Sequence, residues 1–127
     1  MITTHVLDTS RGRPAAGVPV ALERRAGDGP EGRGGEGRER DAGDDWTAVG
    51  ADTTGDDGRA TGLAPAGTPL AAGAYRLRFD TAAYFTAAGA DAFFPEVTVT
   101  FTVTRPDEHH HVPLLLNPFG YTTYRGS

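Results

Sequence analysis

Residues Val97-Thr98-Val99-Thr100-Phe101-Thr102-Val103-Thr104 alternate apolar and hydroxylated side chains without a break. Strict period two over this length is the pattern of a half-buried β-strand, with Val97, Val99, Phe101 and Val103 toward a core and the threonines toward water. A strand cannot satisfy its backbone alone, so the rest of the chain must supply partners.

Those partners are legible. Ile2–Asp8 is β-branched and alternating; with Ile2, Thr4 and Val6 inward, His5 and Leu7 share the outer face. Val18–Leu22 is a second strand with Val18, Val20 and Leu22 inward, and Pro19, which has no N–H, predicts a sheet edge or an outward N–H position there. Trp46–Ala51 is a short strand, and Thr54–Gly58 a tight turn in which Gly58 supplies positive φ and fixes Arg59 just beyond it. Tyr75, Leu77 and Phe79 point inward, with Arg76 and Arg78 outward. Asp80 or Thr81 caps one short helix over Ala82–Ala88, stopped by Gly89. Arg105–Glu108 then turns the chain into a returning hairpin strand, His109–Leu116, with Val112, Leu114 and Leu116 inward.

Seven or so short strands separated by turn signals, plus one helix, predict a mainly β protein: an antiparallel two-sheet β-sandwich. A length of 127 residues fits one domain, 1–127. Glu23–Asp45 is rich in Gly, Arg, Asp and Glu, buries too little to offset its ordering entropy, and is expected to be a flexible loop.

Composition narrows the function. The net charge is −5 and no basic patch interleaves with aromatics, so nucleic acid is not an expected partner. There is no cysteine, which removes disulfides, thiolate metal sites and a thiol nucleophile. No apolar run approaches the ~18 residues of a membrane span, and Met1–His5 lacks the features of a signal peptide. The expectation is a soluble, cytoplasmic protein with no membrane partner.

Strand parity sorts the histidines. His109 and His111 share the outer face with Leu115, as His5 does with Leu7, whereas His110 falls on the core side. Outward histidines beside leucines fit a subunit interface with a polar pocket in it. They equally fit scattered surface residues. A zinc site formed by His109 and His111, with His5 as a third ligand, is the weakest reading, because no further ligand motif accompanies them. Arg59 is either solvated or a planar fork for carbonyl and oxyanion groups. Tyr124-Arg125-Gly126-Ser127 ends the chain with docking groups where many domains fray.

Resemblance separates these readings. Thr4-His5-Val6-Leu7-Asp8, Asp57-Gly58-Arg59, Tyr75–Thr81 through Tyr84-Phe85, Phe94-Pro95-Glu96-Val97, and His111–Leu116 ending in Tyr-Arg-Gly-Ser together resemble the transthyretin-related 5-hydroxyisourate hydrolases. The likeness spans the chain apart from the Glu23–Asp45 loop. It implies a transthyretin-like (prealbumin-like) sandwich, assembled as a homotetramer with sites at the dimer–dimer interface. It implies catalytic roles for His5, Arg59 and His111 and substrate binding by Tyr124, Arg125, Gly126 and Ser127. The implied reaction is hydrolysis of 5-hydroxyisourate to 2-oxo-4-hydroxy-4-carboxy-5-ureidoimidazoline in urate catabolism, by histidine-activated water, with no metal or organic cofactor. A non-catalytic small-ligand carrier of the transthyretin type is the alternative. His110 stands where many members have tyrosine, and the Gly-rich loop is longer than usual.

Overall fold

The computed structural model describes residues 1–26, 45–67 and 69–127. Its strands in chain order are β1 (Ile2–Asp8), β2 (Arg13–Pro14), β3 (Pro19–Arg25), β4 (Trp46–Thr53), β5 (Arg59–Ala60), β6 (Gly73–Phe79), β7 (Val97–Val103), β8 (His110–Asn117) and β9 (Gly120–Thr123). One helix, α1 (Thr81–Ala87), lies between β6 and β7. The strands form two sheets. The first runs β2-β1-β8-β9, with β5 pairing β1 beside β2; the second runs β4-β3-β6-β7.

The inward side chains follow the predicted parity. Val6, Leu114 and Leu116 of the first sheet meet Val20, Leu22, Leu77, Phe79, Val97 and Val103 of the second in one apolar core. Burial of such side chains, at about 1.5–3 kcal/mol each, is the main force holding the two sheets together. The helix begins where expected: the Asp80 carboxylate accepts the Ala83 N–H at 3.0 Å, and Gly89 follows at φ 76°. Tyr84 and Phe85 on its inner face are buried. The Tyr84 hydroxyl donates to the buried carboxylate of Asp8 at 2.7 Å, tying the helix to the end of β1.

The hairpin expected between β7 and β8 does not form. β7 pairs β6, whereas β8 crosses to the other sheet and lies parallel to β1, with Thr3 opposite His111 and His5 opposite Pro113. All other pairings are antiparallel. The physical reason is the run Val112-Pro113-Leu114-Leu115-Leu116, too apolar for an edge, which settles between two neighbours, β1 and β9. β9 was not expected; it folds back from β8 at Asn117-Pro118-Phe119-Gly120, with Asn117 opposite Gly120.

Two further expectations change. β3 is internal to its sheet, and Pro19 is tolerated because it is the first residue of the strand. Glu23, Arg24 and Arg25, assigned to the flexible loop, continue β3 against β4 beyond a shift of register between Leu22 and Glu23. Their charge does not exclude them from a strand, because the Glu23 carboxylate pairs with Arg76 and, at 3.2 Å, with Arg78 on the adjacent strand. The rest of the predicted loop, 27–44, lies outside the described residues. Among the described residues no helix is long and apolar enough to cross a membrane.

Candidate functional site

The outer face of the first sheet gathers the predicted catalytic side chains. β5 is only two residues long, but its register sets Arg59 directly opposite His5. The turn before it makes this possible. Asp57 accepts the Arg59 N–H through its side chain at 3.0 Å. Gly58 sits at φ 78° with its backbone against β1, where a Cβ would collide with the Val6 carbonyl and press the His5 ring. The Gly58 carbonyl accepts the Val6 N–H at 2.7 Å, fastening the turn to the strand.

His5 and His111 lie on neighbouring parallel strands, on the same face and two register positions apart. His5 Nε2 is 2.9 Å from the Asp57 carbonyl. A carbonyl only accepts, so this nitrogen carries the proton and Nδ1 is left to work. His111 is half-buried. Burial first, then the charges of Arg59, His109 and His5, hold its pKa below the ordinary histidine value of 6.5. Its Nδ1 lies 2.8 Å from the Thr3 hydroxyl, and His109 Nε2 reaches the same oxygen at 2.7 Å. Arg59 approaches a carboxylate of Asp57 only at 4.0 Å, and its guanidinium is half exposed.

The C-terminal tetrapeptide divides in two. Beyond the pair Leu114 and Thr123, the β8–β9 register continues to a bridge between His111 and Gly126, whose N–H donates to the His111 carbonyl at 2.8 Å. Pro113 interrupts the ladder between these points because it has no N–H, and its carbonyl instead accepts the Thr123 hydroxyl at 2.7 Å. Tyr124 and Arg125 therefore leave the sheet. Tyr124 is exposed, and Arg125 pairs with Glu108 at 3.3 Å. Both line a cavity of about 210 Å³ with His110, His111, Val112, Val99 and Phe101, at the open edge between β7 and β8. Gly126 packs so closely on His111 that a Cβ would come within 2.6 Å of the ring. Ser127 is exposed beside it.

His110 is buried, 5% exposed, as its parity predicted. It is not fully satisfied, since its Nδ1 has no hydrogen-bond partner among the described residues. Burial first, then the charge of Arg125, depresses its pKa. The ring nitrogens of His109 and His111 converge on the Thr3 hydroxyl, and among the described residues no group of three or more His, Asp or Glu side chains is placed to hold a metal ion. Thr3 is the residue that the sequence reading passed over, although the parity that exposed His5 puts Thr3 on the same face.

This face brings a guanidinium and two imidazoles together on one side of the sheet. Arg59 offers forked donors, and the two imidazoles offer groups for proton transfer. Comparison with known proteins points the same way. The chain is 39% identical over 127 residues to a 5-hydroxyisourate hydrolase of Salmonella dublin, covering all of this chain and 81% of the relative. A structure of Klebsiella pneumoniae 5-hydroxyisourate hydrolase superimposes with a TM-score of 0.75 at 32% identity, over 99% of this chain and 98% of that one. Sea bream transthyretin in complex with thyroxine does so with a TM-score of 0.77 at 29% identity, over 98% and 93%. The sequence model of the HIUase/Transthyretin family matches residues 2–126, and the chain belongs to that family.

Proposed function

We propose that this protein hydrolyses 5-hydroxyisourate to 2-oxo-4-hydroxy-4-carboxy-5-ureidoimidazoline, in urate catabolism. The observation that carries the reading is the convergence of His5, Arg59 and His111 on one sheet face, with Gly126 seated on His111. Opening the six-membered ring requires an activated water, a stabilised oxyanion and a proton for the leaving nitrogen.

His111 is the base. Its depressed pKa keeps it neutral at pH 7, with Nε2 free to take a proton from water when Nδ1–H donates to Thr3. Arg59 binds the urate-like oxygens and stabilises the negative charge that develops on the attacked carbonyl. His5, anchored at Nε2 by Asp57, protonates the leaving nitrogen from Nδ1. Tyr124, Arg125 and Ser127 position substrate at the rim, and no metal or organic cofactor takes part. Leu7 and Leu115, half-buried on the same face, are covered by further copies in a homotetramer whose sites lie between dimers.

The test is spectroscopic. Urate oxidase acting on urate generates 5-hydroxyisourate, and its ultraviolet decay accelerates in proportion to added protein if the reading holds. Stoichiometric binding of the heterocycle with no acceleration would identify a carrier of the transthyretin type instead.

A further inference from the structure

Thr3 is 5% exposed, lies directly opposite His111 in the β1–β8 register, and holds its hydroxyl between two imidazoles, 2.8 Å from His111 Nδ1 and 2.7 Å from His109 Nε2. A hydroxyl has one proton to donate. When it accepts from one ring and donates that proton to the other, the tautomers of the two rings are coupled through it. His109, unlike His111, is exposed to solvent. Valine would fill the same place in a strand with higher β-propensity.

We propose that Thr3 is a positioning residue that selects the Nδ1–H tautomer of His111 and relays protons from His111 to His109. This rests on the assignment of His111 as the base. In the resting arrangement His111 Nδ1–H donates to Thr3, Thr3 donates to His109 Nε2, and His111 Nε2 is unprotonated. When Nε2 takes a proton from water, the Nδ1 proton passes to the Thr3 oxygen and the Thr3 proton to His109 Nε2. The positive charge then rests on His109 rather than on the ring beside Arg59 and His5.

The protons balance. The hydroxide forms the C–O bond, the C–N bond breaks, and the leaving nitrogen takes a proton from His5. The new carboxylic acid ionises and returns that proton to His5. One proton per turnover remains; the resting tautomers return when the relay runs back, from His109 Nε2 to Thr3 and from Thr3 to His111 Nδ1, as His111 Nε2 releases its proton to solvent.

The groups that face His111 bear on any titration of it: His5 and Thr3 from β1, Arg59 from β5, and His109 just before β8. The terminal segment packed on it through Gly126 adds Arg125, held by Glu108. Only Thr3 and His109 enter the relay. The experiment combines tautomer-resolved ¹⁵N NMR of the histidines in the substrate-free protein with pH profiles of kcat and KM, for Thr3→Val, Thr3→Ser and His109→Ala. The expected result is a wild-type and Thr3→Ser protein with His111 in the Nδ1–H form. In Thr3→Val and His109→Ala that population is redistributed, and kcat falls on the order of 10- to 100-fold, the scale on which outer partners orient functional histidines, with KM unchanged. Thr3→Val should also move the acid limb of kcat to lower pH, because the imidazolium loses an acceptor. Unchanged tautomer and kcat in both Thr3→Val and His109→Ala would overturn the relay, as would failure of Thr3→Ser to restore kcat. His109 is exposed, so its variant keeps the test open if Thr3→Val does not fold. The NMR reading needs no substrate, so it separates failure of the relay from failure of the hydrolase assignment, which full activity in His111→Ala would reveal.

Discussion

The outer faces of the two sheets are both polar, but they treat charge in opposite ways. On the second sheet, Glu23 sits between Arg76 and Arg78, Arg78 reaches on to Glu96 at 3.2 Å, and the guanidinium of Arg76 lies 4.3 Å from the centre of the Trp46 ring. Burial opposes ionisation of Glu23, yet the two arginines outweigh it and hold its pKa below the usual value. Arg76 and Arg78 each have a carboxylate close at hand. On the first sheet, Arg59 has only a distant, exposed carboxylate, and the charges near His111 are all of one sign. The first arrangement stabilises a strand; the second leaves binding capacity free for an anionic or oxygen-rich ligand.

Substitutions can break this contrast. The largest effect after loss of a catalytic histidine is expected from Arg59→Gln, which removes the forked donor. kcat/KM should fall about 10²–10³-fold with the thermal midpoint little changed, as steady-state kinetics and calorimetry would show. Gly126→Ala should cost less, roughly 10-fold, because its Cβ would displace the His111 ring; the far-ultraviolet spectrum should not change.

The pH dependence sharpens the same point. A base whose pKa lies below 6.5 stays active as pH falls through the ordinary histidine range, so the acid limb of kcat/KM is expected below pH 6.5. The stability linkage has the matching sign. Because the unfolded chain takes up the proton at His111 more readily, this group favours folding fully above the unfolded pKa, and stability declines as pH falls through that value. For Glu23 the folded pKa is likewise depressed, so its contribution is present at neutral pH and is lost in acid, below the usual carboxylate range. Glu23→Gln should have the smallest effect on activity, none within error, while lowering stability by about 1.5–3 kcal/mol in urea denaturation.

Much of this contrast was legible before any fold was known. Period two fixed the parity of Ile2–Asp8 and Val112–Leu116, and with it the outward histidines and the inward His110. What escaped was long-range partnership. The sequence motif around Glu23 reads as loop because its compensating arginines are about fifty residues away. The hairpin signal at Arg105–Glu108 was real as a turn, but sheet membership depended on which neighbours could flank an apolar strand. Thr3 was hidden for a third reason: a threonine in a strand looks like β-propensity until its hydroxyl is seen between two rings.

The central claim is that the face bearing His5, Arg59 and His111 performs the hydrolysis. The most direct measurement is the ultraviolet decay of enzymatically generated 5-hydroxyisourate with wild-type protein, His111→Ala and Glu23→Gln at equal folded concentration. The account predicts rapid decay with wild type and Glu23→Gln, and a rate with His111→Ala lower by about 10²–10⁴-fold. Equal rates with His111→Ala and wild type would contradict it.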